Sequence, residues 1–166
     1  KTVNKGQLIR LIPAALVGIG IGSLVLRVTD KNSLNILIGV VILGLCVFSL
    51  LKDKIFKDKE KVPTHWAFST FFGLLAGFTT QVANAAGPVM AIYLISMRFE
   101  KKEYMGTAAW YFFLLNWTKL PIFWSEGRIT PESVRADLIM IPLLLVGAWI
   151  GIKLLNKMPQ KLFTMR

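Results

Sequence analysis

The chain has little of what soluble enzymes use. Its 166 residues hold one cysteine, Cys46, and one histidine, His65. No internal disulfide can form, and no His/Cys cluster with metal-ligand spacing exists. Acidic residues number nine against twenty basic ones, and none of the nine lies in a long uncharged stretch, so no buried carboxylate proton relay is visible and a coupling ion is left open. There is no Gly-rich phosphate loop and no paired nucleophile and base. An enzymatic reading therefore has nothing to rest on, and neither a metal nor a cofactor is expected. Cys46 reads as a small apolar residue buried mid-span, and His65 as an interfacial residue beside Trp66.

What is abundant is apolar sequence. Hydrophobic residues make up 54% of the chain, and charge is confined to short clusters instead of being spread along helix faces as in soluble domains. Uncharged runs at 11–26, 32–51, 66–97 and 138–152, and a further run at 104–125 broken only by Lys119, have the lengths of bilayer segments. Their apolar residues surround the helix and do not alternate, so β-barrel strands are disfavoured. The expected fold is an all-α, polytopic membrane helix bundle with five membrane segments, and lipid is the expected surrounding.

The net charge of +11 raises nucleic acid as a partner, but its placement argues against one. Lys1, Lys5, Arg10, Lys52, Lys54, Lys57, Lys59, Lys61, Arg98, Lys101, Lys102, Lys153, Lys157, Lys161 and Arg166 all fall in alternate links, which are thereby expected on the cytoplasmic side. The other links mix Arg27, Lys31, Arg128 and Arg135 with Asp30, Glu126, Glu132 and Asp137 and are expected on the opposite side.

This assignment bears on the run 66–97, because both of its flanks are basic. A single helix of that length would be about 48 Å long, well beyond a hydrocarbon core of about 30 Å. Broken at "ANAAGP", residues 83–88, it becomes a re-entrant helical hairpin that enters and leaves on one side. Pro88 suits the first turn of the second arm, and Gly87 permits an unusual backbone angle. A chain reversal at that depth must be wrapped by protein or line a water-filled cavity, since lipid cannot satisfy its backbone groups. The helix N-terminus after Gly87 favours an anion. Thr79, Thr80, Gln81 and Asn84 carry hydroxyls and amides for the oxygens of a bound group. The alternative is that these residues only cap and pack the tip.

"IPAALVGIGIG" at 12–22 and "IPLLLVGAWIG" at 141–151 match at seven of eleven positions with an offset of 129, which points to an internal duplication. The charge assignment sends the two copies in opposite directions, so the repeats are expected to be inverted. Residues 1–61 then form the end of a first repeat and residues 62–166 a second, and the chain is expected to be a piece of a longer protein. The small-residue pairs Gly18/Gly22, Gly73/Gly77 and Gly147/Gly151 are expected to let helices approach closely.

The stretches "ANAAGPVMAIYL" and "GTAAWYFFLLNWTKLP" resemble the sulfite exporter TauE/SafE family, also called toluene sulfonate uptake permeases. Its halves carry a Gly-rich, Pro-ended intramembrane motif followed by a Gly-Thr-led helix. The common form of the first motif is of Gly-x-Gly-Gly-Gly-Pro type; here only Gly87 and Pro88 match, and Asn84 stands at one of its bare backbone positions. The resemblance implies secondary transport of small sulfur-containing anions such as sulfite, organosulfonates or thiosulfate across the cell (inner) membrane of bacteria. An anion channel or a non-transporting assembly subunit is the alternative, and homo-oligomerisation is left open.

In the second motif Asn116 and Lys119 lie on one helical face with Phe112 and Phe123. Lys119, the one cation inside a segment, reads either as the counter-charge for an anion or as a residue that snorkels to the interface. Pro121 cannot donate to the Trp117 carbonyl and is expected to bend this helix near Asn116. Thr107 is out of phase with Asn116 and is expected to pack or cap near the hairpin base. The expected substrate-binding set is thus Thr80, Gln81, Asn84, Gly87, Asn116 and Lys119, with Pro88 and Pro121 as structural breaks.

Overall fold

The structure, a computed structural model, describes residues 2–56 and 65–159, and the side chains of these except at 31 and 52–56. The basic residues Lys1, Lys57, Lys59, Lys61, Lys161 and Arg166, the side chains of Lys52 and Lys54, and the expected 61/62 repeat boundary lie outside this description. Six helices and no strand occur among the described residues: α1 (Lys5–Val28), α2 (Lys31–Phe56), α3 (Trp66–Ala83), α4 (Ala86–Ser96), α5 (Lys101–Ser125) and α6 (Pro131–Lys157). Three are long and apolar enough to cross a membrane: α1, the Asn32–Leu51 part of α2, and α6. α4 is apolar but short, α3 ends in the polar run Thr79-Thr80-Gln81, and α5 opens with Lys101, Lys102 and Glu103 and carries Lys119.

Helix ends follow local chemistry. The Asn4 side chain accepts from the N–H of Gln7 at the start of α1, and His65 Nδ1 accepts from that of Ala67 at the start of α3. At α6, Thr130 and Ser133 form a reciprocal capping box ahead of a proline. Asp30 accepts from the N–H groups of Asn32 and Ser33 at α2. His65 therefore has a structural task that its position beside Trp66 does not by itself reveal.

The central contact is between α1 and α3, and glycine makes it. A Cβ added at Gly73 would lie 2.6 Å from the Leu11 carbonyl oxygen, and one at Gly77 would lie 2.7 Å from the Ala15 carbonyl carbon. At Gly18 it would meet the Phe78 nitrogen at 2.8 Å, and at Gly22 the Gln81 Cβ at 2.9 Å. Such backbone-to-backbone approach is available only without side chains, and it gains dispersion contacts where lipid offers no hydrophobic drive. Residue numbers rise together along both helices, so α1 and α3 run parallel. Two of the three small-residue pairs thus pack as expected.

The third pair does not pack within this chain. Gly147 and Gly151 have nothing within 4 Å of an added Cβ, and α6 buries no residue. Lys101 Nζ donates to the Leu155 and Met158 carbonyls, which places the end of α6 beside the start of α5. Cys46, expected to be buried, is exposed, because α2 turns only a narrow face, with Leu45 at its centre, toward the other helices.

At Asn84 the chain reverses. Asn84 adopts the left-handed conformation (φ 51°), its N–H donates to the Thr80 carbonyl, and the N–H of Ala85 donates to the Thr79 carbonyl. The left-handed backbone angle falls at Asn84, and the freedom that Gly87 offers is not used: Gly87 lies in the first turn of α4 with open space around it. Asn tolerates this region because its short polar side chain hydrogen-bonds locally. Pro88 occupies the first turn of α4, where its missing N–H costs nothing.

From this reversal α4 returns along α3. Tyr93, fully buried, stacks on Phe68 and packs at a tilt against Phe72, and its hydroxyl lies 2.8 Å from Ser69 Oγ and donates to Gln7 Oε1. One polar knot therefore joins α1, α3 and α4 at the end opposite the reversal.

The start of α5 is tied to the chain's beginning. The Asn4 N–H donates to Thr107 Oγ1 at 3.0 Å, and Asn4 Nδ2 donates to Glu103 Oε1 at 3.0 Å. A Cβ at Gly106 would meet Val3 Cγ2 at 3.2 Å and clash with the Thr2 backbone. The Gly106-Thr107 pair thus seats the segment leading into α1, and Thr107 is fully buried there. α5 continues unbroken through Pro121 to Ser125.

Candidate functional site

Three helices converge beside the reversal. The last turn of α3 brings Thr80, Gln81 and Asn84; α5 brings Asn116, Lys119 and Phe123; α2 brings Ile38. Arg128, just past the Gly127 turn that ends α5, completes the rim. These residues line a cavity of about 490 Å³, large enough for a small oxyanion and several waters.

Lys119 dominates its chemistry. The residue is 3% exposed, so the reading in which it snorkels outward does not describe this structure. Its Nζ donates to Thr80 Oγ1 and to Asn84 Oδ1, each at 3.1 Å. Both acceptors are neutral, and among the described residues no carboxylate pairs with the ammonium. A buried cation held only by neutral dipoles carries a desolvation cost that a bound anion would offset. The third N–H remains available.

Gln81 is 3% exposed, and neither its Nε2 nor its Oε1 has a hydrogen-bond partner. Its Cβ is held against Gly22 of α1, which fixes the side chain's root at the cavity wall. Buried amides are ordinarily satisfied, and this one is not. Asn116 is exposed toward the same space. Asn84 has two tasks here: its backbone makes the turn, and its side chain orients Lys119.

Arg128, read from the sequence only as a charge of an outer link, also borders the cavity. Its Nε lies 2.8 Å from Glu126 Oε2, and its guanidinium carbon is 5.2 Å from the centroid of Phe123. Lys119 Nζ lies 5.6 Å from the same ring, so both cations lie over Phe123. A cation placed directly after the span that carries Lys119 is the pattern that would have singled Arg128 out.

Of the six residues expected to bind, the structure brings together Thr80, Gln81, Asn84, Asn116 and Lys119. Gly87 lies outside the lining, as does Pro88. Pro121 is flanked by the lining residues Leu120 and Phe123. Groups of three or more His, Cys, Asp or Glu able to hold a metal are absent among the described residues. The arrangement offers hydrogen-bond donors and one uncompensated positive charge, which suits capture of an anion.

Comparison with curated proteins and with solved structures finds no match for the chain. Comparison with protein families does: the family described as Sulfite exporter TauE/SafE matches residues 1–165. That match spans the helices, the reversal and the cavity alike, and the family is one of membrane transporters of sulfur anions, not of enzymes. With essentially its whole length matched, the chain belongs to the TauE/SafE sulfite exporter family.

Proposed function

We propose that the chain works as a secondary transporter of small sulfur-containing anions, such as sulfite, organosulfonates or thiosulfate, and that the cavity around Lys119 is where the anion binds. The observation that carries this reading is a buried ammonium held by two neutral oxygens beside an unsatisfied Gln81 amide. Thr80, Gln81, Asn84, Asn116 and Lys119 supply donors, and Gly87 acts indirectly through the first turn of α4.

In this reading the protein is a multi-pass component of the inner membrane. α3 and α4 form a re-entrant hairpin whose tip, Asn84–Ala85, reaches the membrane interior, and α5 crosses despite Lys119. Several features support it. α1, α3 and α5 start at one end of the bundle and α4 and α6 finish there, so Lys5, Arg10, Arg98, Lys101, Lys102, Lys153 and Lys157 gather at that end as the cytoplasmic assignment requires. The tip borders a cavity lined by residues of α2, α3 and α5, a setting in which a backbone reversal is tolerated at depth. Membrane-impermeant thiol labelling of cysteines introduced at 65 and 98 should mark both from the cytoplasmic side. Labelling from opposite sides would overturn the hairpin.

Inverted repeats, with residues 1–61 closing one and 62–166 forming the other, account for the bare face of α6. Gly18 and Gly22 of α1 seat on α3; their counterparts in the duplicated motif, Gly147 and Gly151, seat on nothing here. The occupant proposed for that face is a second hairpin arm of the α3 kind.

Purified protein in liposomes tests the function. Saturable sulfite or sulfonate uptake that depends on direction is expected. A linear, ohmic anion current would favour a channel, and no flux with retained fold would favour a non-transporting assembly subunit.

A further inference from the structure

The rim of the cavity carries a second cation, and the way its counter-charge is held leaves it replaceable. Resting on the anion-site reading above, we propose that Arg128 is a further anion-binding residue and that Glu126 is an internal stand-in for the anion. Its carboxylate holds the guanidinium in the empty site and yields it when a small oxyanion enters.

Backbone chemistry fixes where Arg128 stands. α5 ends in a left-handed turn at Gly127 (φ 68°). The N–H of Gly127 donates to the Trp124 carbonyl at 3.1 Å, and that of Arg128 to the Phe123 carbonyl at 2.9 Å, the paired bonds of a Schellman ending. Such an ending frequently sets an apolar side chain at the position of Arg128 against the one at the position of Phe123. Here the partner is a cation, its guanidinium carbon 5.2 Å from the ring centroid. Phe123 and Arg128 both line the cavity, and Lys119 Nζ approaches the same ring at 5.6 Å. The turn thus delivers a second positive charge to the space beside the buried ammonium.

The helix gains nothing from an acid at 126. Glu126 caps the C-terminus of α5, the negative end of the helix dipole, where cations are favoured. Its carboxylate oxygens are buried and neither has a hydrogen-bond partner. What holds them is a charge contact, with Arg128 Nε 2.8 Å from Oε2. No guanidinium nitrogen therefore makes an aligned hydrogen bond to this carboxylate, although the planar donor set of arginine matches two oxygens of one anion. The Arg128 side chain is also 43% exposed, and ion pairs open to water are weakly held. An oxyanion of sulfur can take the guanidinium in better geometry than Glu126 does.

A structural ion pair and an exchangeable one answer substitution differently. Removing either member of a structural pair changes binding in the same direction, whereas removing the two members of an exchangeable pair changes it in opposite directions. Sulfite binding to the purified full chain is measured by titration calorimetry at low ionic strength, with the fold of each variant checked by its unfolding midpoint. Arg128→Gln should weaken binding about tenfold, the loss expected for a hydrogen bond to a charged group, and Arg128→Lys should recover part of it. Glu126→Gln should tighten binding about threefold, since the ligand no longer displaces a charge. In an Arg128→Gln background the same Glu126→Gln change should have no effect, because the competition that it relieves is gone. Arg135, the next cation along the chain, does not border the cavity, and Arg135→Gln should bind as the parent does.

Unchanged affinity in Arg128→Gln overturns the proposal. Weakening by both Arg128→Gln and Glu126→Gln does so too, and makes the pair a structural clip on the turn. Tightening by Glu126→Gln that persists without Arg128 removes the stand-in role and leaves a merely repulsive charge. An equal loss in Arg135→Gln assigns the effect to the summed charge of that end of the molecule and not to Arg128. Absence of sulfite binding by the parent is a different result: it removes the anion-site reading itself, and this proposal with it.

Discussion

Lys119→Met will lose anion binding and yet yield a protein at least as stable as the parent. These two effects normally oppose each other, and their combination is diagnostic. With an anion present, the ammonium is the one charged partner in a buried contact, and truncating such a partner costs about 2–5 kcal/mol. At about 1.4 kcal/mol per tenfold, the Kd for sulfite should rise by about 30-fold to several thousand-fold. Without an anion, the same charge is held only by Thr80 and Asn84, and methionine fills similar volume with no charge to desolvate. Replacing buried charge by apolar volume is typically neutral or favourable by about 1–4 kcal/mol. The checks are calorimetric titration with sulfite and thermal unfolding in detergent, both without and with ligand. Unchanged affinity would remove Lys119 from the site. A large loss of stability in the anion-free protein would make it a structural residue instead.

The second large effect is expected at the α1–α3 contact. At Gly77 any side chain must drive the Ala15 backbone away, and no flexible atom can yield in its place. Overpacking typically costs about 1–3 kcal/mol, and here a whole helix must move. Gly77→Val should therefore cost about 3 kcal/mol or more, and Gly18→Val a similar amount. The two should not add, since once the helices have parted the second clash is already relieved. Gly20 lies on the same helix as Gly18 but has nothing within 4 Å, so Gly20→Ala should be neutral or stabilising by up to about 1 kcal/mol. Gly151→Val extends the series to the repeat proposal. If a second hairpin arm seats on α6, this change costs as much as Gly77→Val; if the face is bare, it is nearly neutral. Unfolding midpoints of the four single variants and of the double variant, compared in one detergent, decide each point.

How much was legible beforehand depended on whether the responsible property was local. The break in the long apolar run could be read from composition, because Pro88 suits the first turn of a helix and so marks a new helix starting just after Asn84. The residue that carries the left-handed angle could not, since Asn84 and Gly87 are both able to do so and the choice depends on where α4 begins to hydrogen-bond. Gly18/Gly22 and Gly73/Gly77 were recognisable as packing surfaces, but not as each other's partners, because parallel pairing of α1 with α3 is a tertiary fact. Thr80, Gln81, Asn84, Asn116 and Lys119 could be named from polarity within apolar segments. Their meeting could not, as it depends on α5 lying against the reversal. The place of Arg128 at the cavity is not legible in the sequence, because a charge in a link marks orientation and not which cavity it borders. The exposure of Cys46 is not legible either, because mid-span position does not determine which face of α2 meets protein.

The glycine contacts between α1 and α3 also limit how the molecule can move. Where two helices touch backbone to backbone along their length, sliding or parting them would forfeit many atomic contacts at once, so they behave as a single strut even though the proposed repeats would assign them to different halves. Across the cavity, α5 is joined to the tip of α3 by only two hydrogen bonds from one flexible side chain. Under the transport function proposed above, an opening that admits or releases an anion would have its seam between α5 and the end of α3, with Lys119 as the clasp across it.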